Sequence, residues 1–592
     1  MLYPRESETR EVKDLSGVWE FRVDKDNEGY EKQWFKKPLK DTIPMPVPAS
    51  YNDITQDSAI RDHIGNVWYE RNFFIPLSWK EKRIFLRVGS ASHKARVWIN
   101  GREAGYHKGG FLPFAMEVND LVGFGQENRL TITVDNILDW TDIPPGEIKE
   151  ISNDMHPEGY RVQEYHFDFF NYSGIHRPVR LLALPENYID DISVVTNIDK
   201  NSGIISYVVQ VKGHLARISV HLLDREGNTL AEANELEGKL CVSEAHLWEP
   251  GQPYLYILEV KVFNGQEKLE DSYRLPVGIR TVKVDGKQFL INGKPFYFKG
   301  FGKHEDSDLR GKGLDHVINI KDLNLLKWMG ANSFRTSHYP YSEELMNLAD
   351  REGFVIIDEV PAVGLNLWGR EEKAFSPERI NEKTLEHHLN CLRELIQRDK
   401  NHPCVVMWSV ANEPASYEEG AVSYFQKIAK EVRNLDPTRP ITLVNSSMPH
   451  TCQVAQLFDV VCVNRYYSWY TDSGHLELIE FQLEKDLRDW YEQFKKPVFL
   501  TEYGADTIAG FHQDPAVMFT EEYQCEMLEH YHRVLDRLDF IIGEHVWNFA
   551  DFATKQDIVR VVGNKKGVFT RQRQPKAAAF LLKRRWSSTK ET

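Results

Sequence analysis

The 592-residue chain has little cysteine, and no two of its six cysteines have the C-x-x-C spacing. Neither a disulfide framework nor a cysteine-rich metal site is therefore predicted. The chain also lacks any run of 18 apolar residues, and its first residues are polar and mixed in charge, unlike a signal peptide. We therefore expect a cytoplasmic protein with buried free thiols and no membrane partner.

Positive charge is in deficit. Lys and Arg total 73 against 88 Asp and Glu, which gives a net charge of −15. Because binding to a phosphate backbone needs a positive field, we expect no nucleic-acid partner. The net charge says nothing about small anionic substrates, which respond to the local charge of a site.

Several motifs of common enzyme classes are missing. The chain contains neither G-x-G-x-x-G nor G-x-x-x-x-G-K-[ST], so a nucleotide-binding loop is not predicted. It has no G-x-S-x-G, the turn that carries the nucleophile of many serine hydrolases. His304-Glu305 lacks the second histidine of H-E-x-x-H. We therefore expect no cofactor and no metal site.

Aromatic residues, by contrast, are plentiful, with 14 Trp, 25 Tyr and 31 Phe. Such usage suits ligands with flat apolar surfaces, including the faces of sugars. Length alone suggests about four domains at roughly 150 residues each. The pattern along the chain reduces this number to three.

Two β-rich segments come first. Residues 1–184 show short alternating runs such as Gly17–Val23 and Arg83–Val88, and Asn100-Gly101 between two such runs indicates a hairpin. We predict a jelly-roll domain here. Residues 185–278 contain further β runs over a length that suits an immunoglobulin-like β-sandwich.

Residues 279–592 alternate apolar strands with amphipathic helices. Eight strand–helix units in about 300 residues predict a closed (β/α)8 barrel, and a doubly wound open sheet is the alternative. The predicted strands are Phe296–Phe301, Asn332–Ser337, Phe354–Asp358, Val405–Ala411, Ile441–Val444, Val460–Val463, Val498–Thr501 and Phe540–Val546.

Barrel enzymes carry their catalytic groups at the C-terminal ends of the strands. Glu413 follows the fourth predicted strand and Glu502 follows the seventh, each directly after a buried apolar run. These strands face each other across the barrel mouth, so the two carboxylates could flank one bond. Two carboxyl groups about 5 Å apart suit retaining glycoside hydrolysis. For either glutamate alone, a helix N-terminal position or a salt bridge is the alternative.

The chain resembles glycoside hydrolase family 2. RDKNHP at 398–403, WSVANEP at 408–414 and NSFRTSHYP at 332–340 resemble the signatures of that family. Similarity to its bacterial β-glucuronidases extends over nearly the whole chain. It includes HFDFFNY at 166–172, GKHED at 302–306, NRYYSWY at 464–470, VWNFADF at 546–552 and GNKKG at 563–567.

The resemblance implies an order of sugar-binding jelly roll, immunoglobulin-like sandwich and barrel. It also implies retaining hydrolysis of β-D-glucuronides to glucuronate and an alcohol through a covalent glycosyl-enzyme intermediate. Glu413 would be the acid/base and Glu502 the nucleophile. Family members are commonly dimers or tetramers, so a homo-oligomer is expected.

The resemblance further implies substrate-binding roles. Arg335 and Tyr466 would support Glu502, and Lys566, Asn564 and Arg560 would bind the C6 carboxylate. The remaining residues would contact other parts of the sugar: Asp168, His338, Asn412, Tyr470 and Trp547. For three of them a purely structural role is the alternative: strand-end capping for Asn412, core packing for Trp547 and a domain-interface role for Asp168.

One segment departs from the best-known members of the family. The loop from Leu365 to Pro377 looks shortened, which predicts an open entrance with Trp368 on the aglycone side. Two classes of function compete with the leading one. They are another family 2 activity (β-galactosidase, β-mannosidase or β-galacturonidase) and a non-catalytic carbohydrate-binding protein.

Overall fold

A computed structural model describes residues 1–214 and 216–588. The chain forms a first β-sandwich, a second β-sandwich and a closed barrel, in that order. No helix in these described ranges is both long and apolar enough to cross a membrane.

The first sandwich packs a six-stranded sheet against a four-stranded one. The orders are β3-β2-β4-β10-β7-β8 and β1-β14-β5-β9. Alternate side chains of both sheets, such as Trp19 and Leu181, meet in one apolar core. Two pairs of short strands, β11-β12 and β13-β6, form separate small sheets. The strands of all four sheets are β1 (Glu11–Asp14), β2 (Gly17–Val23), β3 (Ile43–Val47), β4 (Asn66–Ile75), β5 (Arg83–Val88), β6 (Ala91–Ser92), β7 (Lys94–Ile99), β8 (Arg102–Lys108), β9 (Phe114–Glu117), β10 (Gln126–Asp135), β11 (Gly146–Glu150), β12 (Arg161–Tyr165), β13 (Gly174–Ile175) and β14 (Val179–Leu184).

The predicted hairpin is confirmed. Asn100 and Gly101 join β7 to β8 with φ of 53° and 79°, the left-handed values that a tight two-residue turn requires. A one-turn helix, α1 (Ser58–Arg61), lies between β3 and β4.

The second sandwich has seven strands in two sheets, ordered β15-β16-β19 and β18-β17-β20-β21. Its core includes Ile205, Val220 and Leu258, which come from both sheets. The strands are β15 (Tyr188–Asp199), β16 (Ser202–Lys212), β17 (Arg217–Leu223), β18 (Thr229–Ala233), β19 (Glu237–Val242), β20 (Tyr256–Phe263) and β21 (Leu269–Val277).

A small antiparallel sheet then leads into a closed ring of eight parallel strands. The small sheet contains β22 (Val282–Asp285), β23 (Gln288–Ile291) and β24 (Lys294–Pro295). The ring contains β25 (Phe298–Gly302), β26 (Ser333–Arg335), β27 (Val355–Glu359), β28 (Val405–Asn412), β29 (Ile441–Asn445), β30 (Val460–Asn464), β31 (Val498–Glu502) and β32 (Ile541–Val546). Its helices are α2 (His316–Met329), α3 (Glu343–Glu352), α4 (Glu382–Asp399), α5 (Glu419–Leu435), α6 (Ile479–Phe494), α7 (Glu521–Leu535) and α8 (Ala577–Ser588).

The barrel prediction is confirmed, and the open-sheet alternative is wrong. Six strands end one residue later than predicted, and in five of them the added residue is polar: Glu359, Asn412, Asn445, Asn464 and Glu502. Because the last ladder positions still pair with a neighbouring strand, these side chains are held rigidly at the barrel mouth.

The first sandwich also reaches the barrel mouth. Phe169 forms an isolated β-bridge with Thr554, which lies beyond β32. On the outer side, the buried ion pair between Arg87 in β5 and Glu343 in α3 has an N–O distance of 2.8 Å. The first sandwich therefore contributes residues to the rim of the barrel.

Candidate active site

Glu413 and Glu502 both lie at the C-terminal edge of the barrel, as the sequence predicts. Glu413 directly follows β28, with a left-handed φ of 49°, and its N–H donates to the carbonyl of Val444 at 2.8 Å. Glu502 is the last residue of β31. Asn464, at the end of β30 between these two strands, donates its side-chain amide to Glu413 Oε1 at 2.8 Å.

The surroundings of Glu413 favour its protonated form. Burial raises its pKa to about 7, and the negative charge of Glu502 acts in the same direction. The hydrogen bond from Asn464 opposes these effects because it stabilises the carboxylate. Glu413 is therefore poised to exchange a proton near neutral pH.

Glu502 has a strong donor on each carboxylate oxygen. The Tyr466 hydroxyl donates to Oε2 at 2.7 Å, and the Arg335 guanidinium donates to Oε1. Burial, followed by the charge of Glu502, raises the pKa of Tyr466 well above its usual value, so this hydroxyl keeps its proton. Burial opposes the charge on Arg335, but Glu359 and then Glu502 outweigh it and raise the arginine pKa. Each oxygen of Glu502 therefore accepts a hydrogen bond from a fixed donor.

Glu359 is a site residue that the sequence analysis missed. It ends β27, is fully buried, and accepts from Arg335 Nη1 at 2.8 Å and from the Ser409 hydroxyl at 2.7 Å. Burial alone would raise the pKa of Glu359, but Arg335 and then His338 lower it. The signal was present: Glu359 lies two residues after the apolar run 355–357, just as Glu413 lies two residues after Ala411 and Glu502 two residues after Leu500.

His338 and Trp547 form a stacked pair at the mouth. Their ring centroids are 5.1 Å apart at an interplanar angle of 21°. His338 Nδ1 lies 2.9 Å from Glu359 Oε1, while its Nε2 lies 3.9 Å from Glu502. Trp547 follows β32 and is 4% exposed.

Asn412 ends β28 and is fixed through its side-chain oxygen. Arg335 Nη1 donates to this oxygen at 3.4 Å, and Asn464 Nδ2 donates to it at 3.3 Å. Its amide nitrogen is thereby turned away from these donors. Asn412 is therefore oriented by the same groups that contact the two catalytic candidates.

A second polar cluster surrounds Lys566. Its side chain is 1% exposed, pairs with Asp506, and donates to the Tyr470 hydroxyl at 2.8 Å. Arg560 donates to the same hydroxyl at 2.7 Å and pairs with Asp506 at 3.3 Å. Burial would raise the pKa of Asp506, but Lys566 and then Arg560 lower it. Asp506, which the sequence analysis missed, is therefore an anion between two cations.

Asp168 joins this cluster from the first sandwich. Its carboxylate accepts from Arg560 Nε at 2.8 Å and from Asn564 Nδ2 at 2.7 Å. Asn564 in turn accepts from the N–H of Lys566 at 2.9 Å. The structure thus brings Asp168 together with the segment 564–566, although nearly 400 residues separate them in sequence.

Comparison with known proteins gives three matches to models of one family. The models are the sugar binding domain of glycosyl hydrolases family 2 at residues 12–185, a further family 2 model at 187–280, and the family 2 TIM barrel domain at 282–591. Together they span most of the chain.

The chain belongs to glycoside hydrolase family 2.

Similar proteins match over the full length of this family 2 hydrolase. A β-glucuronidase of Paenibacillus borealis is 59% identical over 591 residues, covering 100% of this chain and 99% of that protein. The β-glucuronidase of Homo sapiens is 50% identical over 617 residues, covering 100% and 93%.

Solved structures of β-glucuronidases also match nearly the whole chain. A β-D-glucuronidase of Dictyoglomus thermophilum has a TM-score of 0.96 at 60% identity, covering 100% of this chain and 99% of that one. A β-glucuronidase of Ruminococcus gnavus in complex with D-glucaro 1,5-lactone has a TM-score of 0.94 at 41% identity, covering 99% of both chains.

In this family 2 hydrolase, Trp368 lies apart from the two polar clusters. It is 54% exposed and sits in the long connection between β27 and α4, which contains no strand or helix. Arg370, two residues on, contacts Glu164 of the first sandwich at 3.3 Å.

One group of metal-ligand type lies away from the mouth: Asp350, His402 and Cys404. His402 Nδ1 lies 2.5 Å from Asp350 Oδ2, and the N–H of Cys404 donates to Asp350 Oδ1 at 3.0 Å. Burial, followed by the charge of Asp350, raises the pKa of the Cys404 thiol well above its usual value. Because a metal binds the thiolate, these contacts fit an ion-paired structural cluster better than a metal centre.

Proposed function

We propose that this family 2 glycoside hydrolase cleaves β-D-glucuronides with retention of configuration. The observation that carries the proposal is the buried Lys566, which lies with Arg560 and Asn564 beside the mouth that holds Glu413 and Glu502. A buried cation beside a carboxylate pair suits an anionic sugar. The relatives named β-glucuronidase support it.

In the first proposed step, Glu502 attacks the anomeric carbon while Glu413 donates a proton to the leaving oxygen. The bond from the anomeric carbon to the aglycone oxygen breaks, and an ester to Glu502 forms as the alcohol leaves. Because its pKa is raised, Glu413 carries the proton that it donates. Arg335 and Tyr466, which donate to Glu502, orient the nucleophile.

In the second step, Glu413 acts as the base. Once Glu502 is esterified, its negative charge no longer raises the pKa of Glu413, which therefore falls. Glu413 takes a proton from water, the water oxygen attacks the anomeric carbon, and Glu502 leaves as a carboxylate. Two inversions give net retention.

The remaining residues are proposed to bind the sugar. Asn412, which is oriented through its side-chain oxygen, would contact the 2-hydroxyl. Trp547 would lie beneath the pyranose ring, stacked on His338. Asp168, His338 and Tyr470 would bind hydroxyl groups, while Lys566, Asn564 and Arg560 would bind the C6 carboxylate.

Replacing Lys566 with alanine tests the substrate assignment. We expect Lys566→Ala to lower kcat/KM for an aryl β-glucuronide by on the order of 10² or more, about 3 kcal/mol of transition-state binding, because a buried charge-assisted contact is lost. Turnover of the matching neutral glycoside should not fall in parallel.

Lys565→Ala is the matched control, because Lys565 is the adjacent lysine and its side chain is more exposed, with Nζ 4.0 Å from Asp551. A loss below threefold in Lys566→Ala would contradict the carboxylate-binding role.

Aryl glucuronide, galacturonide, galactoside and mannoside turnover on one preparation distinguishes the proposal from the other family 2 activities. Glu502→Ala should abolish turnover and leave binding intact, which separates an enzyme from a carbohydrate-binding protein. NMR of the first anomer released tests the mechanism, because an α-anomer would contradict retention.

We further propose a cytoplasmic homo-oligomer, a dimer or tetramer, whose loop at 365–377 leaves an open entrance with Trp368 on the aglycone side. All six cysteines are free thiols and four are buried, which suits a reducing compartment. We place the domains at 1–184, 185–278 and 279–592. Light scattering tests the oligomeric state. The open entrance would be contradicted if the protein cleaved aryl glucuronides far faster than glucuronidated oligosaccharides.

A further inference from the structure

Two loops at the barrel mouth are tied to the main chain of Glu413. Asn366, in the connection after β27, is 1% exposed and donates its amide to the Glu413 carbonyl oxygen at 3.3 Å. Tyr417, in the connection after β28, donates its hydroxyl to Asn366 Oδ1 at 3.0 Å. Tyr417 therefore lies two hydrogen bonds from Glu413.

This pair lies on the side of the mouth opposite to the cluster of Lys566. In a closed ring of eight strands, β28 and β32 are four positions apart, so the loops that follow them face each other. Lys566 lies beyond β32 and Tyr417 lies beyond β28. Because Glu413 is proposed to protonate the leaving oxygen, the loops tied to it border the leaving group.

The ring of Tyr417 is available to a ligand although its hydroxyl is not. Its side chain is 41% exposed, and its one hydroxyl proton is used by Asn366. Gln453 donates to the Tyr417 carbonyl at 2.7 Å, which fixes the main chain of Tyr417. What remains for a ligand is a flat apolar face on a fixed support.

We propose that Tyr417, anchored by Asn366, is a platform for leaving groups that have a flat apolar face. The inference rests on the proposed function, since it names the class of aglycone that the same site accepts. An aryl ring and the apolar face of a pyranose share this chemistry, whereas a methyl group lacks it.

The test compares kcat/KM for phenyl, methyl and glucosyl β-glucuronides. Tyr417→Phe removes only the hydroxyl, and Tyr417→Ala also removes the ring. We expect Tyr417→Ala to lower the phenyl-to-methyl ratio of kcat/KM about tenfold relative to Tyr417→Phe, in line with the loss of an aromatic contact. A similar fall in the glucosyl-to-methyl ratio would extend the platform to sugars, and a fall in the phenyl arm alone would restrict it to aryl groups.

The sign of the change separates a platform from damage to Glu413. Methanol is a poorer leaving group than phenol and needs more help from the acid, so a defect in Glu413 would raise the phenyl-to-methyl ratio. An unchanged or raised ratio in Tyr417→Ala relative to Tyr417→Phe, in the phenyl and glucosyl arms alike, would overturn the proposal.

Phe481→Ala is the control, because Phe481 is 75% exposed on α6 and belongs to neither of the two loops that are tied to Glu413. It should leave every ratio unchanged. If the unsubstituted protein cleaved phenyl galactoside but not phenyl glucuronide, the proposed function would fail. The platform would then be tested separately with phenyl and methyl galactosides.

Discussion

At the residue scale, Glu413 and Glu502 differ in the hydrogen-bond donors that surround their carboxyl groups. Glu413 receives one neutral amide hydrogen bond, from Asn464, and its pKa rises to about 7 with burial and the charge of Glu502. Glu502 receives a guanidinium and a phenol. Two identical side chains thus lie in different hydrogen-bonding surroundings, as the proposed acid/base and nucleophile roles require.

The pH profile of kcat/KM tests this difference. Because Glu413 must be protonated in the proposed first step, activity should fall as pH rises through about 7. Asn464 stabilises the ionised form and so lowers the pKa of Glu413. Asn464→Ala should therefore move the alkaline limb of the profile to higher pH.

Asn445→Ala is the matched control for Asn464→Ala. Asn445 also ends a barrel strand, β29, but it donates to the carbonyls of Leu443 and Cys462 rather than to Glu413. Its alkaline limb should stay in place. A shift to lower pH in Asn464→Ala would show that the amide does not stabilise the Glu413 carboxylate.

At the element scale, strand ends determine where the site residues meet. Glu359, Asn464 and Glu502 are the last residues of β27, β30 and β31. Strand β25 ends instead in Gly302, which leaves room for Trp547: a Cβ at Gly302 would lie 2.5 Å from the Trp547 ring. Glycine at this strand end therefore allows the Trp547 ring to pack closely against the end of β25.

Gly302→Ala should displace Trp547 and lower kcat/KM about tenfold or more, because small misplacements of substrate-contacting groups cost large factors in rate. The measurement is kcat/KM together with the thermal midpoint. In the control Gly265→Ala, a Cβ meets nothing within 4 Å, so both values should stay unchanged. Full activity in Gly302→Ala would show that the Trp547 ring tolerates the displacement or has no role.

At the scale of the whole molecule, the first sandwich and the barrel complete one site. Asp168 contacts Arg560 and Asn564 from the sandwich, and Arg87 pairs with Glu343 on the outer side. The side chains of Arg87 and Glu343 are 4% and 9% exposed. Loss of one partner would leave the other charge buried without compensation.

Arg87→Ala should lower the free energy of unfolding by about 3 to 5 kcal/mol, the usual cost of breaking a buried ion pair. Arg87→Met with Glu343→Leu should recover much of this loss. Urea unfolding, followed by limited proteolysis at the junction between the first sandwich and the barrel, measures the loss in Arg87→Ala and the recovery in the double variant.

Arg96→Ala is the control for Arg87→Ala, because the Arg96–Glu103 pair is exposed and should contribute less than about 1 kcal/mol. Equal losses in Arg87→Ala and Arg96→Ala would mean that the buried pair does not join the two parts of the molecule.

By itself, the sequence determined the order of folds and the residues at the strand ends. An apolar run followed by Glu413 or Glu502 is a local pattern, and the (β/α)8 repeat converts that pattern into a position at the barrel mouth. The exact strand ends depend on pairing with neighbouring strands, so a strand predicted to end at Asp358 leaves Glu359 outside it.

Only the tertiary structure decided which of these groups meet and how they are charged. The contact of Asp168 with Asn564, the place of Asp506 between Lys566 and Arg560, and the raised pKa of Glu413 all depend on residues far apart in the chain. A pattern of neighbouring residues cannot fix burial or the distance between charges, because both arise when separate loops and domains pack against one another.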